Sequence, residues 1–189
     1  MKILITAFEP FENINTNSSL EVLNNIKIKN DNIKKLILPV KLNTSFNILK
    51  DEINKYNPDI IILTGQASRR NKISIETKAK NKIAKKTSIE DEVDLNNQII
   101  IDNNIDFITS KFPTNEAYLR LKSLNIPVEL SEDAGEYICN SLYFKTMNYY
   151  QNIPSVFIHF PLYKNQINNE GMELEILVKG LEEIILLKS

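Results

Sequence analysis

The chain has 189 residues, 25% of them charged, with a formal net charge of -1. That length suits one globular domain with several strands and flanking helices, and the near-zero charge excludes a global field drawing the protein to nucleic acid or an anionic membrane. A single cysteine excludes an internal disulfide, and the apolar start at Met1 is interrupted by Glu9 and Pro10, too soon for a signal-peptide core or a membrane span. The expectation is one domain over residues 1–189, in the cytoplasm, acting on a small and nearly neutral substrate.

Lys2 to Phe8 is a short apolar run rich in β-favoured residues, and Ile33 to Val40 and Asp59 to Thr64 read the same way. Near-continuous apolar runs of this kind predict strands covered on both faces. Between them, Ser18-Ser19-Leu20-Glu21 has the spacing of a capping box, and Phe46, Leu49, Ile53 and Tyr56 recur at helical intervals after Thr44. Strand alternating with helix predicts a parallel sheet.

Asn71 to Asp106 is less regular, with a candidate strand at Lys72 to Lys78, a lysine-rich stretch and an isolated apolar run at Ile99-Ile100-Ile101. A helix follows from Thr114 to Leu124, with Ala117, Leu121 and Leu124 on one face, then a short strand at Pro127 to Leu130. Gly135 precedes a helix that carries Cys139, Leu142, Tyr143 and Met147 on one side, so Cys139 falls near its first turn. Ser155 to Phe160 is a buried strand, and Leu174, Leu177, Val178, Leu181, Ile184 and Ile185 form the wide stripe of a long amphipathic helix. The predicted architecture is α/β, a three-layer α/β/α sandwich around a mostly parallel, partly mixed central sheet.

One Cys and one His raise the question of a nucleophile and its base, because a thiolate attacks carbonyls well only when something promotes loss of the thiol proton. Cys139 sits where a helix N-terminus acts, and His159 lies at the end of the next strand, where open α/β sheets place ligands. A buried core cysteine and a satisfied core histidine are the ordinary alternatives, and a separation of twenty positions does not choose between them.

Several longer segments carry more. Ile5-Thr6-Ala7-Phe8-Glu9-Pro10-Phe11 with Asn17 is similar to a Thr-Gly-Phe-x-Pro-Phe opening followed by Asn. Asn57-Pro58-Asp59-Ile60-Ile61-Ile62-Leu63-Thr64-Gly65-Gln66-Ala67 comes next, then Arg69-Arg70 and Ile73-Ser74-Ile75-Glu76. Asp133-Ala134-Gly135-Glu136-Tyr137-Ile138-Cys139-Asn140 resembles an Ala-Gly-x-[Phe/Tyr]-x-Cys-Asn segment, and Phe157-Ile158-His159-Phe160-Pro161 resembles Phe-Ile-His-x-Pro. In this order and nearly end to end, the segments resemble the pyroglutamyl-peptidase (pyrrolidone-carboxylate peptidase) family of cysteine peptidases.

The resemblance implies that Cys139 is the nucleophile, His159 the general base and acid, and Glu76 the carboxylate that orients the imidazole. It implies Phe8 and Phe11 as walls for a flat, uncharged pyroglutamyl ring, with Asn17, the backbone at Gln66, Tyr137 and Ile138 completing the binding site. Substrates would be peptides blocked by an N-terminal pyroglutamyl residue, with no cofactor and no metal. Relatives of this kind are commonly homo-oligomers, often tetramers.

Four departures from the family pattern stand out. Ala7 replaces a Gly, Glu12-Asn13 replace a Gly pair, and Ser18 stands where a Pro is expected. An Arg-Ile-Pro-Asp-Asn loop whose arginine assists the oxyanion aligns with Lys85-Lys86-Thr87-Ser88-Ile89, leaving Lys86 as the available donor, without a fixed guanidinium fork. A divergent or inactive member, acting on another amide or serving as a binding protein, is therefore the alternative. Lys72, Lys78, Lys80, Lys82, Lys85 and Lys86 invite a nucleic-acid reading, but no aromatic residues interleave them, so no nucleic-acid partner and no membrane are expected. A nucleoside-phosphorylase-like enzyme of similar architecture would need phosphate-binding residues that the chain does not offer.

Overall fold

The computed structural model describes residues 1–11, 15–84, 99–167 and 170–187. In chain order the elements are β1 (Ile3–Phe8), α1 (Ser18–Asn25), β2 (Ile33–Leu38), α2 (Leu42–Tyr56), β3 (Ile60–Gln66), β4 (Ile73–Glu76), β5 (Lys78–Lys80), β6 (Phe107–Thr109), α3 (Thr114–Ser123), β7 (Val128–Ser131), α4 (Ile138–Tyr149), β8 (Ser155–Phe160) and α5 (Leu174–Leu186). The main sheet has the order β2-β1-β3-β8-β4-β7. Its pairs are parallel except β4 with β8, so the sheet is mostly parallel and mixed at one edge, as the sequence predicts.

Alternation along each central strand divides the core into two layers. Ile3, Ile5, Ile60, Ile62, Val156 and Ile158 face α1, α3 and α5, whereas Leu4, Phe8, Ile61, Leu63 and Phe157 face α2 and α4. Both sets are buried, which is why these strands read as unbroken apolar runs. A fully buried Ile or Leu contributes about 1.5–3 kcal/mol over its exposed state, so the centre of the sheet carries a large share of the hydrophobic stabilisation. β3 and β8, at that centre, carry Gly65 and His159 as register partners. Among the described residues, no helix is long and apolar enough to cross a membrane.

Local departures from the sequence reading have physical reasons. α1 is capped by Asn17 rather than Ser18: the Asn17 Oδ1 accepts from the Ser19 amide at 3.0 Å, one residue earlier than the capping-box spacing implies. The run at Ile99 to Ile101 forms no strand; the amides of Ile100 and Ile101 both donate to Asn81 Oδ1, at 3.0 and 2.9 Å. The lysines of β5 and its flank meet acids of the segment before α4, in Lys78–Glu132, Lys80–Asp133 and Lys82–Glu136 pairs at 2.7, 3.0 and 2.8 Å. Each exposed pair is weak alone because solvent screens it, but together they hold the β5 strand beside the approach to Cys139.

Candidate active site

Cys139 is the second residue of α4, and the turn into that helix is shaped by Asp133 and Gly135. The Asp133 Oδ1 accepts from the Gly135 amide at 3.0 Å, and Gly135 has a φ of +82°, a backbone region open to glycine at little cost. Asn140, fully buried beside the cysteine, clamps the β5 flank: its Oδ1 accepts from the Lys80 amide at 2.9 Å and its Nδ2 donates to the Lys80 and Lys82 carbonyls at 2.8 and 2.9 Å. The start of α4 is thereby fixed on both sides of Cys139. Tyr143, one turn further on, donates its hydroxyl to the Glu76 carbonyl at 3.0 Å.

Phe157 and His159 project from the same face of β8, two residues apart, and their rings lie 4.6 Å apart. Because β4 runs antiparallel to β8, Glu76 stands opposite Phe157 and diagonal to His159. His159 Nδ1 lies 2.7 Å from Glu76 Oε1. An ionised carboxylate only accepts, so Nδ1 carries the hydrogen and Nε2 is the nitrogen left to exchange a proton. Both groups are almost fully buried, at 4% and 0% exposure, where an orienting hydrogen bond is not weakened by solvent.

The thiol of Cys139 is pushed up to about 12, first by burial and then by the Glu76 charge, while its own backbone N–H and the Arg70 charge pull the other way. Burial and the Glu76 charge thus oppose loss of the thiol proton in the resting site. Gly65 makes room for it: a Cβ there would stand 3.1 Å from Cys139 Sγ and 2.9 Å from the Phe157 ring.

Phe8, Phe11, Asn17, Gln66, Tyr137, Ile138, Cys139 and His159 line one cavity of about 160 Å³, together with Val40 and Ala134. Every predicted ring-binding residue thus meets the predicted nucleophile and base, in a space below the usual size for drug-like ligands and suited to a single small ring. A larger apolar hollow of about 330 Å³, near Phe107 and Met147, contains neither cysteine nor histidine. Asn17 stands at the wall but is committed internally, its Oδ1 accepting from the Ser19 amide and hydroxyl and its Nδ2 donating to the Glu9 carbonyl. These bonds tie the start of α1 to the residue that follows β1. Lys86, the departures at Lys85-Ile89 and the Glu12-Asn13 pair lie outside the described residues.

Three contributions escape sequence reasoning. Arg70, to which the resemblance gives no role, donates Nη1 to Glu76 Oε1 at 2.6 Å and Nη2 to the Asp133 carbonyl at 2.7 Å. Asn140 clamps β5. Gln166, in the segment after β8, donates to Gln66 Oε1 at 2.7 Å. The buried Asn next to the cysteine was a legible signal; Arg70 and Gln166 depend on tertiary partners 63 and 100 positions away.

A thiol at a helix start and a carboxylate-held imidazole on one small apolar cavity meet what acyl transfer through a thioester requires, and they define the class: a cysteine-type hydrolase on an open α/β sheet. The family model for pyroglutamyl peptidase matches residues 1–186. Pyrrolidone-carboxylate peptidase of Thermosipho melanesiensis is 34% identical over 192 residues, covering 96% of this chain and 95% of the relative. Pyrrolidone-carboxylate peptidase 2 of Caldanaerobacter subterraneus subsp. tengcongensis is 36% identical over 202 residues, covering 98% and 95%. Among solved structures, pyrrolidone carboxyl peptidase from Thermococcus litoralis superposes with a TM-score of 0.89 at 26% identity, covering 98% of this chain and 92% of its own. The chain belongs to the pyroglutamyl peptidase family of cysteine peptidases.

Proposed function

We propose that the protein hydrolyses the amide bond that follows an N-terminal pyroglutamyl residue in peptides. The observation that carries this reading is the single small cavity shared by Cys139, His159 and the aromatic side chains of Phe8 and Phe11, with the imidazole held by a buried carboxylate at 2.7 Å. The ring lies between the aromatic walls and the Gln66 backbone, with the exocyclic carbonyl of the scissile amide toward the sulfur. Cys139 Sγ attacks that carbonyl as His159 Nε2 takes the thiol proton, forming the S–C bond. Glu76 stabilises the imidazolium and keeps the ring in place. The oxyanion is met by the Cys139 amide, one of the free donors at the helix start. His159 then returns the proton to the leaving amine as the C–N bond breaks, and water activated by the same nitrogen releases pyroglutamate from the thioester.

Burial and the Glu76 charge oppose a free thiolate, which favours transfer of the thiol proton to His159 within the attack itself. We assign residues 1–189 to one catalytic domain that works in the cytoplasm as a homo-oligomer. A free thiol nucleophile is maintained in a reducing compartment, and the assembly follows from the family resemblance. The test is release of a fluorescent amine from a pyroglutamyl amide, beside a prolyl amide and the Cys139→Ala variant. Turnover of the pyroglutamyl compound alone, abolished by the substitution, is expected. A folded wild-type protein inert toward it overturns the reading.

A further inference from the structure

Arg70 occupies the turn after β3, where its amide donates to the Ala67 carbonyl at 3.0 Å, and its side chain crosses to two other segments. One arm of the guanidinium reaches Glu76 at the end of β4, and the other reaches the Asp133 carbonyl in the segment that leads to α4 and Cys139. We infer that Arg70 is a positioning residue for the reaction proposed above: its fork locks the carboxylate that orients His159 and the approach to Cys139 into one unit. Nothing in the family resemblance or in the names of the relatives assigns it this part.

The atoms involved make the case. Glu76 Oε1 is shared by Arg70 Nη1 at 2.6 Å and His159 Nδ1 at 2.7 Å, while Glu76 Oε2 is buried with no hydrogen-bond partner among the described residues. A carboxylate held through one oxygen can pivot about it. With the imidazole alone as donor, the pair would turn together, and the base would lose its aim. The planar, permanently charged fork removes that freedom, because its second arm is anchored to Asp133. Asp133 is itself pinned by the Gly135 amide and by Lys80 at 3.0 Å, so the anchor does not drift. Burial adds a reason: Glu76 is 0% exposed, and an ionised carboxylate there requires a cation, while the Arg70 side chain at 23% exposure reaches it from the rim.

The charge of Arg70 also acts on the thiol. Among the described residues, the charged groups around the thiol and the guanidinium are Glu76 from β4, Asp133 with its partner Lys80 from the approach to α4, and Glu129 from β7 in the groove beside Arg70 and His159. Glu76 opposes ionisation of the thiol and Arg70 favours it. Removing the cation makes the thiolate harder to form. The limb of the pH profile of kcat/KM that reports the thiol must then move to higher pH, which a merely structural change would not produce.

The experiment compares wild type, Arg70→Gln and Arg70→Lys on a pyroglutamyl amide, with kcat, KM and pH profiles measured separately and folding checked by thermal unfolding. For Arg70→Gln, kcat is expected to fall roughly 10²-fold, the loss that a misplaced catalytic group produces, with KM changed less than about threefold and the thiol limb displaced upward. Arg70→Lys keeps the charge without the fork: its pH profile is expected to return toward wild type while kcat stays low. An Arg70→Gln protein with wild-type kcat and profile overturns the inference, as does an Arg70→Lys protein with full kcat. Wild-type protein that releases no amine overturns the peptidase reading, and the role of Arg70 in it falls too.

Discussion

The half of the site that would move protons and the half that would hold the ring are assembled by different forces. Glu76 and His159, both buried, and Arg70 at the rim form a charge-assisted set on β4, β8 and the turn between β3 and β4. Phe8, Phe11, Asn17 and Gln66 are neutral, and their arrangement depends on amides bonding to amides: Gln66 Oε1 accepts from the Ser18 amide at 2.8 Å and from Gln166 at 2.7 Å. In the first half, removal of one partner leaves an uncompensated charge in a dry setting, so damage should fall on kcat. In the second half, removal of one partner costs a neutral hydrogen bond and a slight shift of a wall, so damage should fall on KM.

The largest effect expected on the proton-moving half concerns the sulfur. With its value at about 12, the thiolate fraction of Cys139 grows tenfold for each pH unit through the neutral and alkaline range. Alkylation of the substrate-free protein by iodoacetamide should therefore accelerate roughly 10³-fold between pH 7 and pH 10, where an unperturbed thiol with a value near 8.5 levels off. The sign follows from burial and the Glu76 charge, which both disfavour the anion. A rate already flat at neutral pH would reveal a preformed thiolate–imidazolium pair, and attack would then follow proton transfer. Cys139 is the only cysteine, so the labelled site is unambiguous.

A smaller effect, confined to the same half, comes from Gly65→Ala. The added methyl would meet the Phe157 ring at 2.9 Å and Cys139 Sγ at 3.1 Å, in a strand paired with the one that carries His159. Phe157 is fully buried and in ring contact with both Tyr143 and His159, so it has little room to give. Overpacking of this kind should lower stability by about 1–3 kcal/mol in thermal or denaturant unfolding. The displaced sulfur should lower kcat by roughly 10- to 100-fold, with KM changed much less. Wild-type kcat in a folded variant would mean that the sulfur has alternative room, and the close fit at Gly65 would not matter to catalysis.

The two halves also differ in how far they could be read in the sequence. β8, from Ser155 to Phe160, coincides with its prediction residue for residue, because a strand buried on both faces declares itself as an apolar run with turn signals at its ends. β1 and β3 fall within one or two residues of their predicted bounds, and the apolar stripe of α5 faces the core from Leu177 to Ile185. β5 and β6 escaped, being three residues each, with Lys78 and Lys80 only partly buried and Phe107 exposed. The Glu76–His159 contact depends on β4 running antiparallel to β8 and lying beside it, a relation that no local pattern carries. The resemblance supplied Glu76, and geometry supplied Arg70. A fork that joins two segments 6 and 63 positions away leaves no periodic trace in a sequence.

Ser18 shows how a departure from the family pattern can be accommodated in the ring-holding half. A proline at that position has no N–H, whereas the Ser18 amide donates to Gln66 Oε1. Gln166 shares that acceptor through Nε2, extends the same group toward the Thr16 carbonyl at 3.3 Å, and accepts from the Tyr163 amide at 3.2 Å. The segment after β8 is thus tied to the approach to α1, directly behind the cavity wall. Gln166→Ala removes three neutral hydrogen bonds from a half-buried side chain that touches neither the sulfur nor the imidazole. At about 0.5–1.5 kcal/mol for a net bond, and with solvent able to replace part of the set, KM for a pyroglutamyl amide should rise roughly two- to tenfold while kcat stays within about twofold. Steady-state kinetics beside Arg70→Gln make the contrast direct. If Gln166→Ala lowers kcat as much as it raises KM, ring placement and proton transfer are coupled through Gln66, and the two halves act as one.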